Sequence, residues 1–76
     1  MIRIEITAVA LNSNKFYGDT MCVDSKEELD NLVKEFMDSV RFEKYYIEME
    51  SEASQVTEEN EKLWDEIVSV YDIETY

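Results

Sequence analysis

The sequence predicts one α+β domain over residues 1–76, with a three-stranded antiparallel sheet and two helices on one of its faces. Three patterns predict this fold class. Apolar and polar residues alternate over 2–11 and again over 42–50, as in half-buried strands, and an apolar stripe with helical spacing runs through 26–40. A chain of 76 residues buries only about 60–65% of its unfolded surface, so the core must be small.

The first two strands are predicted to form a hairpin. The first run places isoleucines and alanines on one face and Arg3, Glu5 and Thr7 on the other. A polar loop follows, and then a second strand over 16–23, in which the only glycine, Gly18, is expected to form a bulge or a bend. Both strands carry enough apolar residues to cover one side of a core.

The first helix has the clearest pattern in the chain. Ser25 and Glu28 have the spacing of a capping box, which predicts a helix that begins at residue 26. Its apolar residues recur at helical intervals and form one stripe: Leu29, Leu32, Val33, Phe36 and Val40. This helix should therefore pack one face against the sheet.

A third strand and a second helix are predicted in the remainder. The inward face of the third strand is predicted to consist of Tyr45, Ile47 and Met49. Thr57 is expected to cap the second helix. The apolar face of that helix consists of Leu63, Trp64, Ile67, Val68 and Tyr71. The pattern leaves open whether residues 68–76 are helix, strand or tail.

The predicted order is thus β-β-α-β-α. If the third strand pairs with the first, the sheet order is 2-1-3 and both helices cover one face. The other face would remain open to solvent or to a partner.

The composition excludes several classes of function. A net charge of −12 argues against direct binding to nucleic acid or to an anionic membrane surface, because both require clustered lysine and arginine. With one cysteine and no histidine, neither an internal disulfide nor a Cys/His zinc site can form. Cys22 is expected to be a buried apolar residue. We expect a cytosolic protein without cofactor or catalytic activity.

The acidic residues are concentrated in one segment. Residues 48–66 contain eight carboxylates and Lys62, a net charge of −7. Glu48, Glu50 and Glu52 should project from one side of the third strand at intervals of about 6.5–7 Å, a spacing similar to that of successive phosphates. A second row is expected on the second helix, where it can form one surface with the first: Glu58, Glu59, Glu61, Asp65 and Glu66.

Tyr46 belongs to the same predicted surface. It alternates onto the strand face that carries Glu48 and Glu50, whereas Tyr45 and Trp64 are expected to face the core. Tyrosine is favoured as an anchor in protein interfaces because it supplies a large contact area. A solvated acidic face that serves only solubility is the competing interpretation of the two rows.

Acidic rows on a small α+β scaffold resemble those of phage-encoded inhibitors, including anti-CRISPR proteins and DNA mimics. The resemblance covers the whole chain as a class and rests on the glutamates of the strand row and of the helix row. It implies an inhibitor that occupies a Lys/Arg-lined nucleic-acid channel, such as that of a CRISPR effector complex in a bacterial host cell.

Two other functions remain open. The first is an immunity or antitoxin-type protein that neutralises a basic nuclease or toxin. Tyr45 and Tyr46 beside glutamates resemble the binding surface of colicin DNase immunity proteins, although those proteins are entirely helical. The second is a homodimeric structural or regulatory module, in which an open edge of the second or third strand pairs across a two-fold axis.

Overall fold

The computed structural model describes residues 1–40 and 44–76 and contains a four-stranded sheet with two helices against one face. Its elements follow in the order β-β-α-β-α-β. The strands and helices are β1 (Ile2–Ala10), β2 (Phe16–Val23), α1 (Lys26–Ser39), β3 (Tyr45–Ser51), a 3-10 helix (Ala53–Gln55), α2 (Glu61–Val68) and β4 (Glu74–Thr75). The predicted α+β class is therefore confirmed.

β1 is the central strand. It pairs antiparallel with β2 on one side and with β3 on the other, as the order 2-1-3 requires. Ile2, Ile4 and Ile6 are completely buried, and they alternate with exposed or half-buried residues. The expected bulge at Gly18 is wrong, because Gly18 pairs with Thr7 inside a register that continues without interruption along the hairpin.

The first helix begins as its sequence predicts. The Ser25 hydroxyl accepts a hydrogen bond from the Glu28 amide at 3.1 Å, which satisfies one of the free N–H groups of the first turn. Four of the five residues in the predicted apolar stripe are buried, and the fifth, Leu32, packs partly buried at the margin of the core. The amphipathic period thus fixed the side of α1 that faces the sheet.

The second helix begins later than predicted. Thr57 is not its cap, because residues 58–60 form a turn and α2 begins at Glu61. The Asn60 side chain holds this turn, since its Oδ1 accepts from the Thr57 amide at 2.7 Å and its Nδ2 donates to the Gln55 carbonyl at 2.8 Å. These bonds compete locally with helix formation.

The sheet has four strands, so the three-stranded prediction is wrong in its strand count. β4 is only two residues long and runs parallel to β3, with Glu74 beside Glu50 and Thr75 beside Ser51. The backbone of Tyr76 continues the contact: its amide donates to the Ser51 carbonyl at 3.1 Å, and its carbonyl accepts from the Ala53 amide at 2.9 Å. The chain therefore returns from α2 to the sheet edge.

The core lies between the sheet and the helices. Ile67 of α2 is completely buried in the same cluster as Leu29 of α1 and the isoleucines of β1. Tyr45 and Trp64 pack partly buried against this cluster, as predicted, and Met49 is buried. Phe42, the predicted start of the third strand, lies outside the described residues. Within the described ranges, no helix is both long and apolar enough to cross a membrane.

Candidate acidic interface

The sheet face opposite the helices is open and carries most of the polar residues of the strands. Because side chains alternate along a strand, the buried face of β3 is formed by residues such as Met49, and the intervening Tyr46, Glu48 and Glu50 are exposed. Arg3 and Glu5 of β1 occupy the same open face, between the buried isoleucines. The strand face predicted to be acidic is therefore accessible.

The register aligns three glutamates across this open face. Glu5 of β1 lies directly opposite Glu50 of β3, and Glu50 lies beside Glu74 of β4. Neighbouring strands are about 4.8 Å apart, and Cβ atoms of directly opposite residues are about 4.5–5.5 Å apart. Like charges in this position destabilise a sheet. We call these three residues the glutamate row.

Glu48 extends the glutamate row along β3. It is opposite Thr7 and two residues from Glu50 on the same face, at a rise of about 6.5–7 Å. The four carboxylates form a patch in two directions, across the strands and along one of them. We call it the acidic patch: Glu5, Glu48, Glu50 and Glu74.

One end of the acidic patch is closed by an ion pair and a tyrosine. An Nη of Arg3 lies 3.4 Å from the Glu52 carboxylate, and both side chains are nearly half exposed. The Tyr76 hydroxyl donates to Glu5 Oε1 at 3.3 Å. Glu52, predicted as part of the strand row, is thus partly neutralised within the fold. The side chains of Glu48, Glu50 and Glu74 form no hydrogen bond or ion pair with any described residue.

The surroundings of Tyr76 raise the pKa of its phenol above the usual value. Desolvation raises the pKa first, and the charge of Glu5, its hydrogen bond and the charge of Glu52 raise it further, while Arg3 acts in the opposite direction. Tyr76 therefore remains a phenol that donates to Glu5.

The second acidic row lies on the other side of the molecule. Glu58 and Glu59 are exposed in the turn before α2, and Glu61, Asp65 and Glu66 are exposed on α2 itself. Ile67 is buried in the core on one side of α2, so Glu61 and Asp65 on the opposite side of this helix point away from the sheet. The strand row and the helix row therefore do not form one surface, contrary to the expectation. The alternation of a strand and the stripe of a helix give no information on which layer each will occupy.

Three residues in or beside the acidic patch were not predicted as site residues: Glu5, Glu74 and Tyr76. Glu5 was recognised as an outward-facing residue of the first strand, but its position opposite Glu50 follows only from the register between β1 and β3. Glu74 and Tyr76 reach the face because the last residues form β4. The alternation in 2–11 was the one available signal, and it applied to Glu5 alone.

The prediction for Cys22 is wrong, because its side chain is exposed. Met21 and Val23 are the buried residues of this part of β2, so Cys22 must point to the open face, where it is opposite Arg3. Because side chains alternate along a strand, a shift of one residue decides which side chains are buried.

A wide, open depression of about 440 Å³, lined in part by Glu5, Thr7 and Gly18, and a smaller cleft border the acidic patch. The smaller cleft, of about 120 Å³, is lined by Glu48, Asp72 and Glu74 together with Ile47 and Met49. Pockets for small molecules generally have about 300–1,000 Å³, so this cleft is better suited to the end of one side chain. Among the described residues, no group of three or more His, Cys, Asp or Glu side chains has an arrangement that could hold a metal ion.

No protein-family model, curated protein or solved structure matches this chain.

Proposed function

We propose that this protein is a non-catalytic acidic inhibitor that binds the basic, nucleic-acid-binding surface of a partner protein and blocks DNA or RNA binding there. The observation that carries the proposal is the glutamate row, in which Glu50 lies between Glu5 and Glu74 on neighbouring strands. Within the described chain, no cation lies between these carboxylates.

The energetics of the row favour an external partner. Each pair of like charges directly opposite in a sheet weakens folding by about 0.2–1 kcal/mol. A lysine- or arginine-lined channel reverses the sign of this term, because its cations interact with all the carboxylates together. Such a channel also focuses its potential outward and accelerates association with an anionic ligand.

A CRISPR effector complex provides grooves of this chemistry, since it holds the guide–target heteroduplex in a positively charged channel and also binds the displaced single strand of the target. In this proposal the acidic patch and Tyr46 take the place of a nucleic-acid strand. The partner would be encountered in the bacterial cytoplasm if the protein is phage-encoded. A basic nuclease or toxin presents similar chemistry and would be bound through the same face.

The test is a competition assay with a purified, guide-loaded CRISPR effector complex and a fluorescent target duplex, read by anisotropy. A colicin-type nuclease domain serves as a second target for the immunity alternative. We expect the wild-type protein to displace DNA, and its apparent affinity to fall steeply with salt. The double variant Glu48→Lys/Glu50→Lys should weaken the displacement by about a hundredfold or more, because two attractive charges become repulsive.

A matched control changes the same number of charges in the helix layer. Glu61→Lys/Asp65→Lys has the same net charge as the strand variant but alters only α2, and its affinity should stay within about threefold of wild type. Equal losses for the two variants would mean that net charge, not the open face, governs binding. An affinity that does not change with salt would mean that binding is hydrophobic and not electrostatic.

A second candidate is the homodimer formed through β2. In the described chain β2 pairs with β1 alone and is therefore an edge strand of the sheet. However, the Thr20 amide of this strand already donates a hydrogen bond to the Asp19 carboxylate at 2.8 Å, which competes with pairing to a second chain. Light scattering over a range of concentrations tests the dimer, and a constant monomer mass at high concentration would eliminate it.

A further inference from the structure

The open face has an apolar end next to the acidic patch. In the register of the sheet, Val9 lies opposite Phe16 of β2 and opposite Tyr46 of β3, so the three side chains form one row across the sheet. Phe16 is 73% exposed and Tyr46 is 47% exposed. Leu11, which follows β1, is 59% exposed. We call the row of Phe16, Val9 and Tyr46 the aromatic row.

The aromatic row is adjacent to the carboxylates on the same face. Tyr46 precedes Glu48 by two residues on β3, a rise of about 6.5–7 Å, and Val9 follows Thr7 by the same step on β1. Two exposed rings therefore lie beside a group of negative charges on the same sheet face. Large exposed apolar groups that are rimmed by polar residues mark interaction sites.

We infer that the open face binds a protein groove that is built for single-stranded nucleic acid. This inference rests on the proposed function and specifies the kind of groove. Proteins that bind single strands combine a positively charged path for the phosphates with aromatic side chains on which the bases stack. The acidic patch is complementary to the first part of such a groove, and the Phe16 and Tyr46 rings are complementary to the second.

A groove for duplex DNA fits this face less well. In a duplex the bases are stacked inside, and proteins contact phosphates and the edges of base pairs. The exposed rings would therefore meet charged and polar side chains, and the aromatic row would find no aromatic partner for stacking. Single strands present unstacked bases beside their phosphates, and the open face presents rings beside its carboxylates in the same way.

The two parts of the face should contribute differently to binding. Carboxylates at the surface mainly accelerate encounter and make it dependent on salt, whereas buried aromatic anchors mainly slow dissociation. Loss of one ring should therefore weaken binding at every salt concentration. Loss of one carboxylate should reduce the salt dependence itself.

The experiment compares two purified targets in one competition assay. The first is an OB-fold single-strand-binding protein with a fluorescent oligothymidylate, and the second is a homeodomain with a fluorescent duplex. The wild-type protein should displace the oligothymidylate at a concentration at least about tenfold lower than it needs for the duplex. Phe16→Ala and Tyr46→Ala should each weaken displacement of the oligothymidylate by about tenfold and leave the duplex assay unchanged.

Two variants and one stability measurement control the result. Tyr46→Phe keeps the ring and should retain the displacement. Val70→Ala removes a side chain that is 60% exposed and follows α2, and it should have no effect. Thermal unfolding of each variant verifies that the loss does not come from an unfolded sheet.

The possible failures are distinguishable. If Glu48→Gln/Glu50→Gln weakens displacement but the two alanine variants do not, the acidic inhibitor stands and the single-strand groove is wrong. If neither set of variants matters, or the wild type displaces neither probe, the inference falls. Equal displacement of strand and duplex also overturns it.

Discussion

The helix layer and the open sheet face are both acidic, but their carboxylates have different surroundings. In the helix layer, Asp30 lies 2.9 Å from the Lys26 ammonium and also accepts a hydrogen bond from the Tyr71 hydroxyl. Glu27 and Glu28 occupy the first turn of α1, where the helix dipole favours negative charge. On the open face, by contrast, Glu50 has a glutamate on each neighbouring strand.

The number of acidic residues in a region therefore does not identify a binding site. Glu27, Glu28 and Asp30 of α1 have local reasons to be where they are, since each stabilises its helix or forms an ion pair. The acidic patch weakens the sheet that carries it. A charged surface that destabilises the fold is a better candidate for a contact with another molecule than a charged surface that stabilises it.

The strongest test of the helix layer is the titration of Tyr71. Burial first, and then the hydrogen bond to Asp30 and the charge of its carboxylate, raise the pKa of Tyr71 from 10.0 to about 12. Because the folded pKa is raised, the stability that this phenol contributes is complete below pH 10 and is lost as the pH rises from about 10 to 12. Ultraviolet absorbance of tyrosinate should show a late-titrating residue that Tyr71→Phe removes.

Asp30 provides the matched variant. Its own pKa is lowered, first by the hydrogen bond from Tyr71 and then by Lys26, so its contribution is present above pH 3.8 and declines as the pH falls below that value. Asp30→Asn should shift the titration of Tyr71 back towards 10. An unchanged late titration in Asp30→Asn would show that burial alone governs Tyr71.

A smaller effect is expected where the 3-10 helix joins the acidic end of the sheet. Gln55 Oε1 accepts from the Arg3 amide at 2.8 Å, and Gln55 Nε2 donates to the Arg3 carbonyl at 3.1 Å. Gln55→Ala removes both bonds and should lower the free energy of unfolding by about 1–2 kcal/mol.

Urea denaturation provides the measurement for Gln55→Ala. Ser54→Ala, an exposed change in the same short helix, serves as the control and should stay within about 0.5 kcal/mol of wild type. Equal stability of the two variants would remove the role of Gln55 as a backbone partner of β1.

The smallest effect compares the two regions directly. Glu50→Lys replaces a repulsion with attractions to Glu5 and Glu74 and should stabilise the fold by about 0.2–1 kcal/mol. Glu28→Lys makes the same change in net charge but places a cation in the first turn of α1, which should destabilise it by about 0.3–1 kcal/mol. Chemical denaturation at low ionic strength should therefore show changes in the free energy of unfolding of opposite sign for the two variants. Changes of the same sign and size would mean that net charge alone determines both effects.

Local patterns predicted most of the secondary structure. The alternation in β1 and β3, the Ser25 cap and the apolar stripe of α1 each depend on residues close in sequence, and all of them are present in the structure. Thr57 was misjudged because the side chain of Asn60 stabilises a competing turn. β4 was missed because two residues without an apolar pattern become a strand only through their pairing with β3.

The candidate site was predicted in part. The exposure of Tyr46, Glu48 and Glu50 follows from the two-residue period of β3, and its sequence shows that period directly. The partners of these residues could not be predicted, since register is a relation between strands that are about forty residues apart in the chain. The role of the face in binding stays a prediction for the competition assays.

The sequence by itself determined the charge of this protein, the faces of its strands and of its first helix, and the exclusion of a histidine-dependent site. These properties depend on composition and on periods of two to four residues, which local geometry imposes. Only the tertiary structure decided that Glu5, Glu50 and Glu74 lie side by side and that the acids of α2 lie on the opposite side of the sheet. The reason is physical: burial of the common core selects one register and one layer for each element, and the charges on the outer surfaces must follow.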